Sequence, residues 1–214
     1  LVAYFILATY QTSMFGTTLA FSIMLMCSVA ALLALRGYAP RMDEESEIAD
    51  FDEPLTGYSL LVGFLVGLGL LAVAGLISRV STFLEGFSIL WVPQPNISIF
   101  AVGPISAQTI GNIIYQFALV APAEETLKLA GIYAIYSRLP PDMPLRESVS
   151  VAIPVAFWSV FHVILSGYTP WMILTAFTAG IIIYIFALKT TGSLLTAILA
   201  HATYNSAVIL LGAT

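Results

Sequence analysis

Charge is what this chain has least of. Only 9% of its 214 residues are Asp, Glu, Lys or Arg, against 59% hydrophobic, and the mean hydropathy is +0.97. A water-soluble domain of this size needs far more polar surface, so the composition excludes that class and points to a membrane protein. Basic residues number seven and form no stripe, which excludes a nucleic-acid-binding surface because there is nothing to release counterions. A single cysteine, Cys27, excludes an internal disulfide framework and a thiolate metal site. In its apolar run it is expected to be a small packing residue. Alternating apolar and polar strands are missing, which excludes an outer-membrane barrel. There is no His-Glu-x-x-His and no Gly-x-Ser-x-Gly, so neither a zincin helix nor a serine elbow is available.

What charge there is falls unevenly. Seven of the twelve acids (Asp43, Glu44, Glu45, Glu47, Asp50, Asp52 and Glu53) lie in one stretch, so the net charge of −5 is local. That stretch reads as a solvated connection, with docking of a soluble partner on loop 43–53 as the alternative.

A spanning helix needs about 20 apolar residues. Met14–Leu35 and Gly57–Ser78 are the first two candidates. Leu1–Tyr10 is short, and reads as the end of a lost helix or an extension of the first. Arg79–Phe100, with Phe83, Phe87, Trp91, Pro93 and Pro95, reads as an irregular interfacial segment. Ser106–Tyr136 reads as one long helix kinked at Pro122, since proline removes a backbone donor. Arg138–Glu147 holds three prolines and reads as a loop. Ser148–Gly167, Trp171–Leu188 and Ser193–Leu211 complete the set. The expected fold is therefore all-α: a polytopic transmembrane bundle of about six spans. Residues 1–100 carry the N-terminal spans, and residues 101–214 form a core holding the chemistry. With these spans Arg36, Arg41, Arg138, Arg146 and Lys189 share one side, and Arg79 alone takes the other. Loops 36–56, 138–147 and 189–191 are then expected to be cytoplasmic.

Against this background the intramembrane polar residues stand out. Glu124 and Glu125 are adjacent, Lys128 follows on the same run, and both histidines, His162 and His201, lie in spans, with Asn205 four residues after the second. Ionisable groups are costly at such depth and mark functional sites by default. At about 1.5 Å per residue, Glu124, His162 and Asn205 each lie roughly 21 Å from their loop, and His201 roughly 15 Å. Four polar residues on three spans thus fall in one layer. Glu124 and Lys128, like His201 and Asn205, are four apart and share a face, with Glu125 about 100° away. Lys128 beside one carboxylate, and the other carboxylate beside a like charge, suits a general base for water. Three other uses of these residues stay open. A structural polar cluster would glue the helices together, a non-catalytic scaffold would retain them, and a proton-coupled transporter would relay protons through them.

The motifs resemble those of the CAAX protease and bacteriocin-processing (Abi) intramembrane proteases. Ala121-Pro-Ala-Glu-Glu-Thr-Leu-Lys-Leu-Ala-Gly131 is similar to the first motif and Trp158-Ser-Val-Phe-His162 to the second. Phe177–Gly180 with Thr191-Gly-Ser-Leu through His201-Ala-Thr-Tyr-Asn205 is similar to the third. The resemblance spans about Ser106–Leu211. Position 129 is Leu where the family has Arg, and Lys128 stands one residue earlier, a Glu-Glu-x-x-Lys variant like that of PrsW-type proteases. Trp158 stands where the family has Phe. The resemblance implies hydrolysis of a membrane-associated or lipidated protein or peptide among membrane lipids. Glu124 would be the base and His162 would hold the water. His201 and Asn205 would face the oxyanion, with Glu125, Lys128 and Trp158 supporting. No cofactor is expected in this version; the alternative is a zinc site of Glu124, His162 and His201.

Overall fold

The computed structural model describes residues 14–38, 53–85, 105–166 and 170–211. The side chains of 14–17, 20–21, 35–38, 81–85, 162–166 and 170–171 are outside the description. Within these bounds the chain is all-helical, with no strand. In chain order the elements are α1 (Met14–Tyr38), α2 (Gly57–Glu85), α3 (Ala107–Tyr115), a π-helical turn π1 (Gln116–Val120) and α4 (Ala121–Tyr136). They are followed by α5 (Arg146–Ser166), α6 (Pro170–Ile182), a second π-helical segment π2 (Ile183–Lys189) and α7 (Leu194–Leu210). Because α3, π1 and α4 run on without a break, as do α6 and π2, these are six rods at the six expected places.

Local chemistry fixes several ends. Thr56 Oγ1 accepts from the Ser59 amide at 3.1 Å and starts α2. Ser106 and Thr109 form a reciprocal capping box at the start of α3. Gly192 takes φ 62°, a left-handed turn natural to glycine, and lets the chain reverse from π2 into α7.

Three expectations shift. Helix α2 runs past Ser78 through Arg79 to Glu85, so the first part of the expected irregular segment is helical; Phe87, Trp91, Pro93 and Pro95 lie outside the described residues. Where one helix kinked at Pro122 was expected, a π-helical turn, π1, ends two residues before the proline, which lies in the first turn of α4. The Ala121 amide bonds back to the Gln116 carbonyl, five residues away, so the ladder has already changed register where proline lacks a donor. Cys27, expected inside, lies on an exposed face of α1.

The packing is inverted relative to a water-soluble bundle. On α2 the exposed side chains are Leu60, Leu61, Phe64, Leu65 and Leu68, whereas Ser59, Gly63 and Gly67 are buried. Small residues inside and large apolar ones outside is how helices associate in lipid. Two stretches, Gly57–Val80 and Met172–Lys189, are long and apolar enough to cross a membrane, and Ser22–Ala34 and Leu194–Leu210 are shorter apolar helices.

Helix α2 packs most extensively on α7, and α1 on α4. At Gly67 an added Cβ would lie 2.5 Å from the Ala200 carbonyl oxygen and 2.7 Å from Thr203 Cβ, and at Gly63 2.9 Å from the Thr196 oxygen. Only glycine permits this approach. One apolar core joins Leu70 of α2, Leu129 and Ile132 of α4, Val155 of α5, Ile183 of π2 and Ala200 of α7. At one end of the bundle the Glu53 amide donates to the Gly192 carbonyl (3.0 Å). At the same end Lys189 Nζ donates to both Glu147 carboxylate oxygens (2.7 and 2.8 Å) and Arg146 to the Tyr136 carbonyl. The residues bordering the three loops with most of the basic residues therefore meet. Of the acidic stretch only Glu53 falls among the described residues.

Candidate active site

Helix α4 carries the carboxylates. Its buried residues include Ala121, Ala123, Glu124, Glu125, Thr126 and Lys128, so this half of the helix is inside on every side. Burial all round leaves the two carboxylates no solvent, and each must find protein partners.

Glu125 has two. Lys128 Nζ donates to Glu125 Oε1 at 2.5 Å, one helical turn away. His201 Nδ1, from α7, meets the same oxygen at 2.5 Å. A carboxylate only accepts, so facing ionised Glu125 the Nδ1 position carries the hydrogen. The imidazole is thereby oriented, with Nε2 turned to the other glutamate. His201 Nε2 lies 3.3 Å from Glu124 Oε2, within ion-pair distance but not aligned as a hydrogen bond, and Oε2 is buried with no hydrogen-bond partner among the described residues. Glu124 and Lys128 stand four apart on α4, and the Lys128 ammonium bonds Glu125 in an i,i+3 pair.

Asn205 lies one turn beyond His201 on α7, half-buried, and its Nδ2 donates to Gln116 Oε1 at 2.9 Å. Gln116 is a site residue that the motifs did not indicate. The signal was present: an amide inside the apolar run Ile113–Val120 meets the same criterion that singled out the glutamates. Trp158 is buried against Met24 and Ala123, the residue before Glu124, with Phe161 alongside. With Met24 of α1 it packs apolar surface against the turn of α4 that carries the glutamates. His162 sits on α5 one turn after Trp158; its side chain lies outside the described residues. Among the described residues no three His, Cys, Asp or Glu side chains are grouped to hold a metal ion.

The structure thus brings together Glu124, Glu125, Lys128 and His201 directly, and Asn205 through the next turn. A buried carboxylate beside an imidazole whose far nitrogen is held by a second carboxylate is an acid–base arrangement of the kind hydrolases use. Residues 106–207, just under half of the chain, match the family of type II CAAX prenyl endopeptidases described as Rce1-like. The match covers every one of these residues and supports the CAAX-protease family for this part of the chain. No curated protein and no solved structure matches the chain.

Proposed function

We propose that the protein is a polytopic intramembrane endopeptidase that hydrolyses membrane-associated or lipidated substrates with a glutamate-activated water. The observation that carries this reading is the buried Glu124 Oε2, without a hydrogen-bond partner among the described residues, 3.3 Å from His201 Nε2. Glu124 takes a proton from water as the water adds to the substrate carbonyl, and returns it to the leaving amine. Asn205 donates to the developing oxyanion, the contribution a preorganised, water-poor site makes best, and His201 joins it when Nε2 as well as Nδ1 carries a hydrogen. Glu125, held by Lys128, keeps the imidazole in one orientation. His162 holds the water. The Lys128–Glu125 pair supports treating the first motif as a PrsW-like Glu-Glu-x-x-Lys variant.

The inverted packing of α2 and the family match support a multi-pass membrane location. The meeting of Glu53 with Gly192 and of Lys189 with Glu147 supports one common side for loops 36–56, 138–147 and 189–191, which the basic residues make the cytoplasmic one. Docking of a soluble partner on loop 43–53 is part of the same proposal.

One observation favours a zinc version as a second reading. Two ligands on a tetrahedral zinc, at about 2.0–2.1 Å each, stand roughly 3.3 Å apart, as Glu124 Oε2 and His201 Nε2 do. Glu125 on Nδ1 is the outer carboxylate such a histidine ligand commonly has. Glu124, His201 and His162 would hold the ion, which would supply Lewis-acid activation of water.

The test uses detergent-purified protein, a farnesylated Cys-a-a-X peptide and a transmembrane peptide, each with and without a strong chelator. Glu124→Gln is expected to lower cleavage by about 100- to 10,000-fold, the range for loss of a general base, with its unfolding transition retained. Wild-type activity in that variant would sink the mechanism. Activity lost to the chelator and restored by zinc would select the second reading.

A further inference from the structure

Gln116 belongs to no motif, yet its side-chain oxygen accepts from the Asn205 amide at 2.9 Å. Its position depends on π1. On an uninterrupted α-helix eight residues turn through roughly 800°, which would set Gln116 about 80° away from the face of Glu124. The wider i→i+5 ladder over Gln116–Val120 turns roughly 80° per residue and removes most of that offset. The five-residue bond from the Ala121 amide to the Gln116 carbonyl is the hydrogen bond that does this. A π-turn lacks the favourable packing of an α-turn and persists where a side chain gains from the changed register. Here the residue at its first position reaches across to α7 and bonds the amide one turn from His201.

A primary amide has two N–H groups in one plane. With one spent on Gln116 Oε1, the plane of Asn205 is fixed and the second N–H has a set direction. Free of Gln116, the Asn205 side chain would rotate about its terminal torsion and present oxygen or nitrogen alike. An oxyanion needs nitrogen. We infer that Gln116, set in register by the π-turn, is a positioning residue that locks the Asn205 amide with an N–H toward the reacting carbonyl. This rests on the role given to Asn205 above.

The experiment pairs turnover of the farnesylated peptide with NMR of side-chain amides in [15N]Asn-labelled protein in micelles. The chain has three asparagines, Asn96, Asn112 and Asn205, and Asn205→Ala assigns the third signal. Gln116→Met keeps length and apolarity but removes the acceptor. It is expected to lower kcat about 5- to 10-fold, the scale of one hydrogen bond, with KM changed less than about 2-fold, and to shift the Asn205 amide signal. Gln116→Glu retains an acceptor oxygen but adds a carboxylate in an apolar span, so it is read by NMR, where the Asn205 amide signal is expected to stay hydrogen-bonded. In an Asn205→Ala background Gln116→Met is expected to cause no further loss, because nothing remains to be positioned. An equal loss in that background, wild-type kcat in Gln116→Met, or an unmoved Asn205 signal would overturn the inference. Should Gln116→Met not fold, the reciprocal measurement decides: Asn205→Ala must shift the Gln116 amide in [15N]Gln-labelled protein. Glu124→Gln separates the two readings. If it remains active, the glutamate mechanism falls, and the NMR arm alone then decides the pairing.

Discussion

Two Glu–Lys pairs sit in this molecule, with opposite surroundings. Lys128 and Glu125 are 7% and 6% exposed and lie mid-helix in the bundle, whereas Lys189 and Glu147 are 45% and 14% exposed at its rim. Each acid also holds a third group: Glu125 meets His201 Nδ1, and Glu147 accepts from Tyr184 O–H at 3.0 Å. The bond lists are nearly alike, so bonding does not distinguish them. Surroundings do. At the rim either member can be solvated when the other leaves, and screening limits what the pair is worth. Inside, a charge left behind has nothing to replace its partner. A buried ion pair contributes little net stability over an apolar pair of the same shape, so its presence calls for a purpose. The orientation of His201 is that purpose in the mechanism proposed here.

The largest expected effect comes from breaking the inner pair on one side only. Lys128→Met leaves the Glu125 carboxylate buried with His201 alone, and removal of one partner of such a pair costs about 3–5 kcal/mol. Unfolding in mixed micelles should register the loss, and cleavage should fall with it. Adding Glu125→Gln to Lys128→Met removes both charges. That double variant is expected to recover most of the stability but not the activity, because the anion that orients His201 Nδ1 is gone. Full activity in the double variant would show that the pair serves packing alone.

The inner pair also marks how far the sequence could be read. Six helical stretches were legible because each is a long apolar run ended by Gly, Pro or charge, and their ends moved by only a few residues. The exception is α2, which continues through Arg79 to Glu85. Arg79 and the polar residues after it looked like an end, but a helix tolerates them where its last turns need no apolar surroundings. The approach of Glu124 to His201 agrees with their expected common layer, because polar groups in apolar spans must solvate one another. The place of Glu125 at His201 Nδ1 was not read from the sequence. Which carboxylate Lys128 takes was not legible, since i,i+3 and i,i+4 spacings are equally good on a helix, and the choice was made by a histidine 76 residues away. The π-turns were hidden because the ladder changes without a change in composition. Pro122 hinted at the first; nothing in Ile183–Lys189 marks the second.

An intermediate effect sharpens the comparison from the far side of α7. His201 follows Ala200, whose carbonyl oxygen would lie 2.5 Å from a Cβ at Gly67. Backbone on one side and Thr203 on the other leave that Cβ no flexible atom to displace. Gly67→Ala must therefore push α2 and α7 apart, at a cost of about 1–3 kcal/mol typical of overpacking. The shift reaches the inner cluster, so the activity ratio of variant to wild type should fall even at temperatures where both are folded. Gly69, which faces open space on the same helix, supplies the control: Gly69→Ala is expected to leave activity unchanged and stability equal or slightly higher, as removing a helix glycine does by itself. Equal behaviour of the two variants would refute a close contact between α2 and α7.

The smallest effect is the one that gives the comparison its meaning. Lys189→Met removes the outer ammonium, but Glu147 keeps the Tyr184 hydroxyl and its own access to water. The cost should stay below about 1 kcal/mol, as for exposed ion pairs generally, and should shrink further as salt is raised. Cleavage by Lys189→Met is expected to match wild type. A loss approaching that of Lys128→Met would mean that the rim pair is coupled to the site through π2, which carries both Tyr184 and Lys189 and packs directly on α7. The two pairs would then be one network rather than a structural contact and a working one, and salt titration of Lys128→Met against Lys189→Met distinguishes these cases, because only an uncoupled outer pair responds to screening by itself.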